Sequence, residues 1–174
     1  LAEELGAYAI SLEGSASIDA GAVSANCLTE QLPRALKLLA EVVRSPTFPQ
    51  VEFDSLKEQV LTGLRVSSRQ PTYLVRREFQ RRLFGPHPYA RTASGEVEDV
   101  EGRTVDDVRA WWSKFARPDK AVLIFAGDVE DAQALELARQ SFGDWKAAEP
   151  LSEVLVVDPP KASGDSPAVA PLVY

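Results

Sequence analysis

Two prolines and a glycine within Leu83-Phe84-Gly85-Pro86-His87-Pro88-Tyr89-Ala90-Arg91 leave this stretch few backbone solutions. Each proline fixes φ and removes an amide donor, while the glycine reaches conformations closed to other residues. A helix carrying Phe79 and Leu83 must end here, and a rigid turn must hand the chain on to Ser94-Gly95 and a second helix opened by Thr104. The loop therefore sets a helix-loop-helix frame around which the other periodicities can be placed.

Upstream of the loop the period is helical. Leu32, Ala35, Leu36, Leu39, Val42 and Val43 recur at spacings of three and four, which builds one apolar stripe. Thr29 is the expected cap, Pro33 is tolerated in the first turn, and Ser45-Pro46 stops the helix. A second helix is expected from about Gln50 to Ser67, with Val51, Phe53, Leu56, Val60, Leu61 and Leu64 facing inward. Gln70-Pro71 ends it, because a residue before proline disfavours the helical region. The third runs from about Thr72 to Phe84.

Nearer the start the period is two. Leu1 to Gly6 reads as the end of a helix. From Tyr8 to Leu28, Ile10, Leu12, Ala16 and Ile18 alternate with Ser11, Glu13, Ser15 and Ser17, then a second alternating run follows. That pattern predicts two half-buried strands with Asp19-Ala20-Gly21 as the hairpin turn. Downstream, Thr104 to Asp107 resembles a capping box with aspartate in place of glutamate, opening a helix with Val108, Trp111, Trp112 and Phe115. Arg117-Pro118-Asp119 breaks it. The continuous apolar run Ala121 to Ala126 predicts a buried strand, Gly127-Asp128 a turn, and Asp131 to Phe142 a helix returning over the sheet. Beyond Trp145, five prolines mark a linker, with an edge strand expected over Leu151 to Val157 and a new module beginning at Leu172-Val173-Tyr174.

Composition narrows the functional classes. A net charge of −7 argues against nucleic-acid binding driven by overall charge, and no apolar run approaches a membrane span. One cysteine, Cys27, excludes an internal disulfide and a thiolate metal cluster; it reads as a buried, inert thiol. The chain holds no methionine and begins at Leu1, which predicts a fragment or a processed product.

His87 is the only histidine, so a usual zinc site cannot be assembled from these residues alone, and a histidine between two prolines reads as a turn residue with one hydrogen bond. Gly127-Asp128 is too short for a phosphate-binding loop. Arg65, Arg69, Arg76, Arg77, Arg81 and Arg82 form a basic surface in an otherwise acidic chain. They are read either as a solvated face paired with Glu58, Glu78 and other carboxylates or as a binding face for an acidic peptide.

Taken in order, Leu1 to Ala7 with its strands, Ala35 to Glu41, Ser45-Pro46-Thr47-Phe48, the helix ending before Pro71, Leu83 to Arg91, Thr104 to Trp112, Arg117 to Lys120 and Val122 to Asp128 resemble the insulinase or pitrilysin-type zinc peptidases, which include the mitochondrial processing peptidase. The resemblance covers about residues 1–145. It implies an α/β (α+β) fold, with helices on a mostly antiparallel sheet whose first strands are absent from this chain. It also implies an insulinase-like module over residues 1–148, lacking its N-terminal part, and a proline-rich linker over 149–174 leading to a second module.

In such peptidases a His-x-x-Glu-His helix supplies two zinc ligands and the base that activates water, and a glutamate on a later helix supplies the third ligand. That first helix would lie before Leu1. In register, Leu61-Thr62-Gly63-Leu64-Arg65 stands where catalytic members have Leu, any residue, Glu, an apolar residue and Arg, so the ligand position falls on Gly63. Glu58 is more than one turn away and faces differently. The resemblance thus implies a non-catalytic module, with no catalytic or metal-ligating residue and no cofactor of its own. Zinc would sit in an active partner module or subunit, and a peptide substrate would be enclosed between the two. Arg76 and Arg77 are the expected substrate-binding residues. Two alternatives stay open: a catalytic protein whose ligands lie upstream, and an interaction scaffold that has left proteolysis.

Overall fold

A computed structural model describes residues 2–147. The order is α1 (Ala2–Ala7), β1 (Ser11–Ala16), β2 (Gly21–Asn26), α2 (Leu32–Arg44), α3 (Gln50–Ser67), α4 (Pro71–Phe84), α5 (Val97–Glu101), α6 (Val105–Phe115) and α7 (Asp131–Phe142), with short 3-10 turns at Thr29–Gln31, Pro88–Ala90 and Pro118–Lys120. The expected strand at Leu151–Val157, the linker and the start of a further module all lie outside the described residues.

The core forms where α2 meets the hairpin. Ala35 and Leu38 of α2 pack with Ile10, and Leu5, Leu12, Ala25 and Cys27 close around them. β1 and β2 pair antiparallel from Ser11↔Asn26 to Ala16↔Gly21. Only the base of the hairpin is covered, which is why Ile18, expected on the buried face, is exposed. The turn is made by Ser17, whose Oγ accepts from the amides of Asp19 and Ala20 and donates to the Ala20 carbonyl. Gly21 already belongs to β2. Thr29 does not cap α2; it opens a 3-10 turn, and Gln31 precedes the helix without a side-chain cap.

Helices α6 and α7 attach to the end of α2. Trp112 donates its indole N–H to the Val43 carbonyl at 2.9 Å and meets the Phe48 ring edge-on. Arg44 donates to the Ser141 carbonyl at 2.7 Å and pairs with Asp144 at 2.9 Å, so α7 lies along α2 instead of over the sheet. Phe48 holds a left-handed backbone (φ 42°), rare for a bulky residue; its carbonyl accepts from Arg109 at 2.9 Å and its ring rests on Trp112, and together these hold it there. Trp111 stays exposed beside Phe115.

Two sequence expectations fail for the same reason. Ala121–Ala126 forms no strand, and Val122 and Ile124 are 84% and 80% exposed. Leu61 and Leu64 of α3 are buried, but Val51, Leu56 and Val60 face solvent. A strand needs a neighbour for its ladder and a helix face needs an opposing layer. Among the described residues the sheet has two strands, and Leu56 and Val60 line an open groove beside Val100 and Val108 without a full layer over them.

The capping box is present. Thr104 Oγ1 accepts from the Asp107 amide at 3.2 Å, and the Asp107 carboxylate accepts from the Thr104 amide at 2.8 Å. These bonds hold the Asp107 carboxyl below the usual carboxylate range. Thr104→Ala is expected to cost about 1 kcal/mol in urea unfolding, whereas Thr104→Ser should be close to neutral.

Candidate functional site

The residues singled out for chemistry lie on α3, on α4 and in the loop that ends α4. Gly63 sits in the exposed part of α3, sharing its face with Leu56 and Val60. Its backbone is helical, and a Cβ built there would meet nothing within 4 Å. Neither backbone conformation nor packing calls for glycine. Glu58 is also exposed, and among the described residues no three His, Cys, Asp or Glu side chains gather to hold a metal ion. The donor set needed for zinc, three side-chain ligands around an open position, does not fit what surrounds Gly63.

Arg76 and Arg77 of α4 diverge. Arg77 Nη1 lies 3.2 Å from Glu96 and is half-buried, while Arg76 is exposed and has no carboxylate within 4.0 Å among the described residues. Arg82 pairs with Glu78 one turn earlier at 2.6 Å; Arg82 and the other nearby arginines hold the Glu78 carboxyl below its ordinary range. Arg65 on α3 meets Glu101 at 2.7 Å, and Lys57 donates to the carbonyls of Glu101 and Arg103 at 2.8 Å each. These contacts fasten α5 to α3. Glu96 and Glu101 were not foreseen as partners, since nothing in the local pattern joins residues 19 and 36 positions apart.

Gly85 takes a positive φ (53°) and ends α4, with its amide bonded to the Arg81 carbonyl. His87 Nδ1 accepts from the Tyr89 amide at 3.2 Å, a turn-capping role. Its ring stands 4.8 Å from that of Tyr89, which also contacts Phe84 edge-on. Tyr89 donates its hydroxyl to Asp19 at 2.7 Å and so ties the loop to the hairpin tip. Cys27 is half-buried beside the core, and burial pushes its thiol above the ordinary range.

Residues 1–96 match the model of the insulinase family (peptidase family M16), and residues 103–171 match that of the peptidase M16 inactive domain. The chain belongs to the insulinase family. It is 28% identical over 128 residues to a non-peptidase homolog, YmxG, of Helicobacter pylori, covering 74% of this chain and 30% of that protein. It is 27% identical over 143 residues to the zinc protease PqqE of the same organism, covering 79% and 32%. A peptidase M16 inactive domain from Pseudomonas fluorescens superposes with a TM-score of 0.79 at 27% identity, over 88% of this chain and 38% of that one. The insulinase-like chain thus spans about a third of the curated relatives it matches. Among the described residues its fold is mostly helical, with a two-stranded antiparallel sheet.

Two outcomes follow from this geometry. Gly63→Ala should raise stability by about 0.5–1 kcal/mol in chemical denaturation, because alanine is the better helix former and has room; a loss would show a need for glycine at that position. The Tyr89 phenol, hydrogen-bonded to Asp19 and facing its charge, titrates above its ordinary value of 10.0. A raised folded value favours the neutral phenol, so the stabilisation is full below about pH 10 and fades as pH rises through the folded value. Asp19→Asn should move this tyrosine's ionisation to lower pH in an absorbance titration, with Tyr89→Phe supplying the baseline.

Proposed function

We infer that this insulinase-like chain is a non-catalytic module that helps enclose and bind peptide substrate beside a zinc-bearing partner. The observation carrying the reading is Gly63. In the register of the resemblance it stands where the third zinc ligand is expected; a glycine there offers no donor, and its open, helical surroundings show no packing need for it. The match to the M16 inactive domain and the likeness to a non-peptidase homolog support it. In this reading residues 1–148 act as one module, residues 149–174 lead to a second, and zinc would be held by the partner's residues, where it would supply Lewis-acid activation of a water. Arg76 and Arg77 hold the peptide.

A second reading keeps the whole protein catalytic with its ligands supplied upstream; the 27% identity to a zinc protease favours it. Metal content and cleavage divide the two. The polypeptide carrying this chain, purified alone, should hold no stoichiometric zinc by elemental analysis and should not cut a fluorogenic peptide. Mixed with a zinc-bearing family member from the same organism, it should raise that partner's cleavage rate, and a chelator should abolish the gain. Stoichiometric zinc and cleavage by the isolated polypeptide would sink the non-catalytic reading.

A further inference from the structure

Between residues 65 and 91 the chain has seven arginines and one glutamate, a local charge of +6 within a chain of −7. Helix α4 lies at the centre of this basic region. Val75, Phe79 and Leu83 recur every four residues along its exposed side and are 43%, 62% and 54% exposed, so no described element covers them. The row is about 12 Å long at 1.5 Å per residue. Arg76 and Arg82 flank it on either side, one unpaired among the described residues and the other holding Glu78.

We propose that this face of α4 docks an acidic segment of a peptide that also carries large apolar side chains. The apolar groups lie on Val75, Phe79 and Leu83, and the carboxylates meet Arg76 and Arg82. The inference rests on the peptide-holding reading above and gives it a substrate class. Three observations favour a carboxylate-bearing peptide. The neighbouring guanidinium groups already take carboxylates at hydrogen-bond distance: Arg65 with Glu101, Arg77 with Glu96 and Arg82 with Glu78. Arginine's planar fork fits that group. The large exposed apolar row also gives the site more than charge, as a peptide anchor needs. The rest of the chain, with a net −13, disfavours approach of an anionic membrane or nucleic acid.

The test is fluorescence anisotropy on the full chain with a labelled synthetic peptide of leucines and glutamates, against its twin with lysine replacing every glutamate. The acidic peptide should bind, the lysine twin should not, and binding should weaken as salt shortens the screening length from ~10 Å to ~3 Å. Arg76→Glu and Phe79→Ser, both at exposed positions, should each weaken binding about five-fold or more, and Arg76→Lys should retain most of it. Lys37→Glu, an exposed charge reversal on α2, should change little. Equal binding of the lysine twin, unaltered affinity in both α4 variants, or association with phosphatidylglycerol vesicles but not with the acidic peptide would each overturn the proposal. If the chain still stimulates its partner's cleavage while these binding results fail, the enclosing role stands and the acidic preference falls.

Discussion

Helix α2 buries Ala35 and Leu38 against the hairpin, and α6 and α7 are positioned through its C-terminal end. Ala35, Leu36, Leu38, Leu39 and Ala40 are withdrawn from water, and each buried leucine contributes about 1.5–3 kcal/mol. The C-terminal end of α2 then acts as an anchor for distant parts of the chain. Val43 offers its carbonyl to Trp112, and Arg44 reaches both the Ser141 carbonyl and the Asp144 carboxylate. Position is thus passed from a small apolar core to α6 and α7 by a few directional bonds. Burial supplies the stability, and the polar contacts supply the orientation.

Away from α2 the molecule is open. The outer side of α3, the Ala121–Ala126 run and the stripe on α4 all present large apolar groups to solvent. Single exposed hydrophobic residues are ordinary, but contiguous rows suit surfaces that work by being covered. The charged contacts are arranged differently. Arg117, 8% exposed, grips Asp119 through two bonds at 2.9 and 3.0 Å, which holds the Asp119 carboxyl below its ordinary range. In the reading proposed above, a zinc ligand would stand on the open side of α3, where Gly63 offers no side chain.

Much of this architecture was legible because its causes are local. The capping box needed only Thr104 and Asp107 three residues apart, the end of α4 only Gly85 with its two prolines, and the stripe of α2 only a regular spacing. The misjudged elements depended on distant partners. Ala121–Ala126 has the composition of a buried strand, yet a strand is defined by its neighbours, and apolar sequence cannot state whether neighbours are present. Val51, Leu56 and Val60 matched a helical period but lacked an opposing layer. At the candidate site, the reading of Gly63 rests on register against the family alone, whereas the Tyr89–Asp19 bond spans 70 residues with no sequence signal to announce it.

The fastening of α5 bears on how this molecule can be divided. The two family models meet across residues 97–102, a seam that invites treatment of the chain as two separable halves. Yet Lys57 ends on one backbone carbonyl within that seam, Glu101, and one just beyond it, Arg103, while Arg65 ends on Glu101 and Arg77 on the near margin at Glu96. A nick at Gly102 would cost little covalently, but a polypeptide ending at residue 96 would strand two cations of α3 without their acceptors. Descent draws a border through α5, whereas the bonding makes α5 a rivet between the two sides.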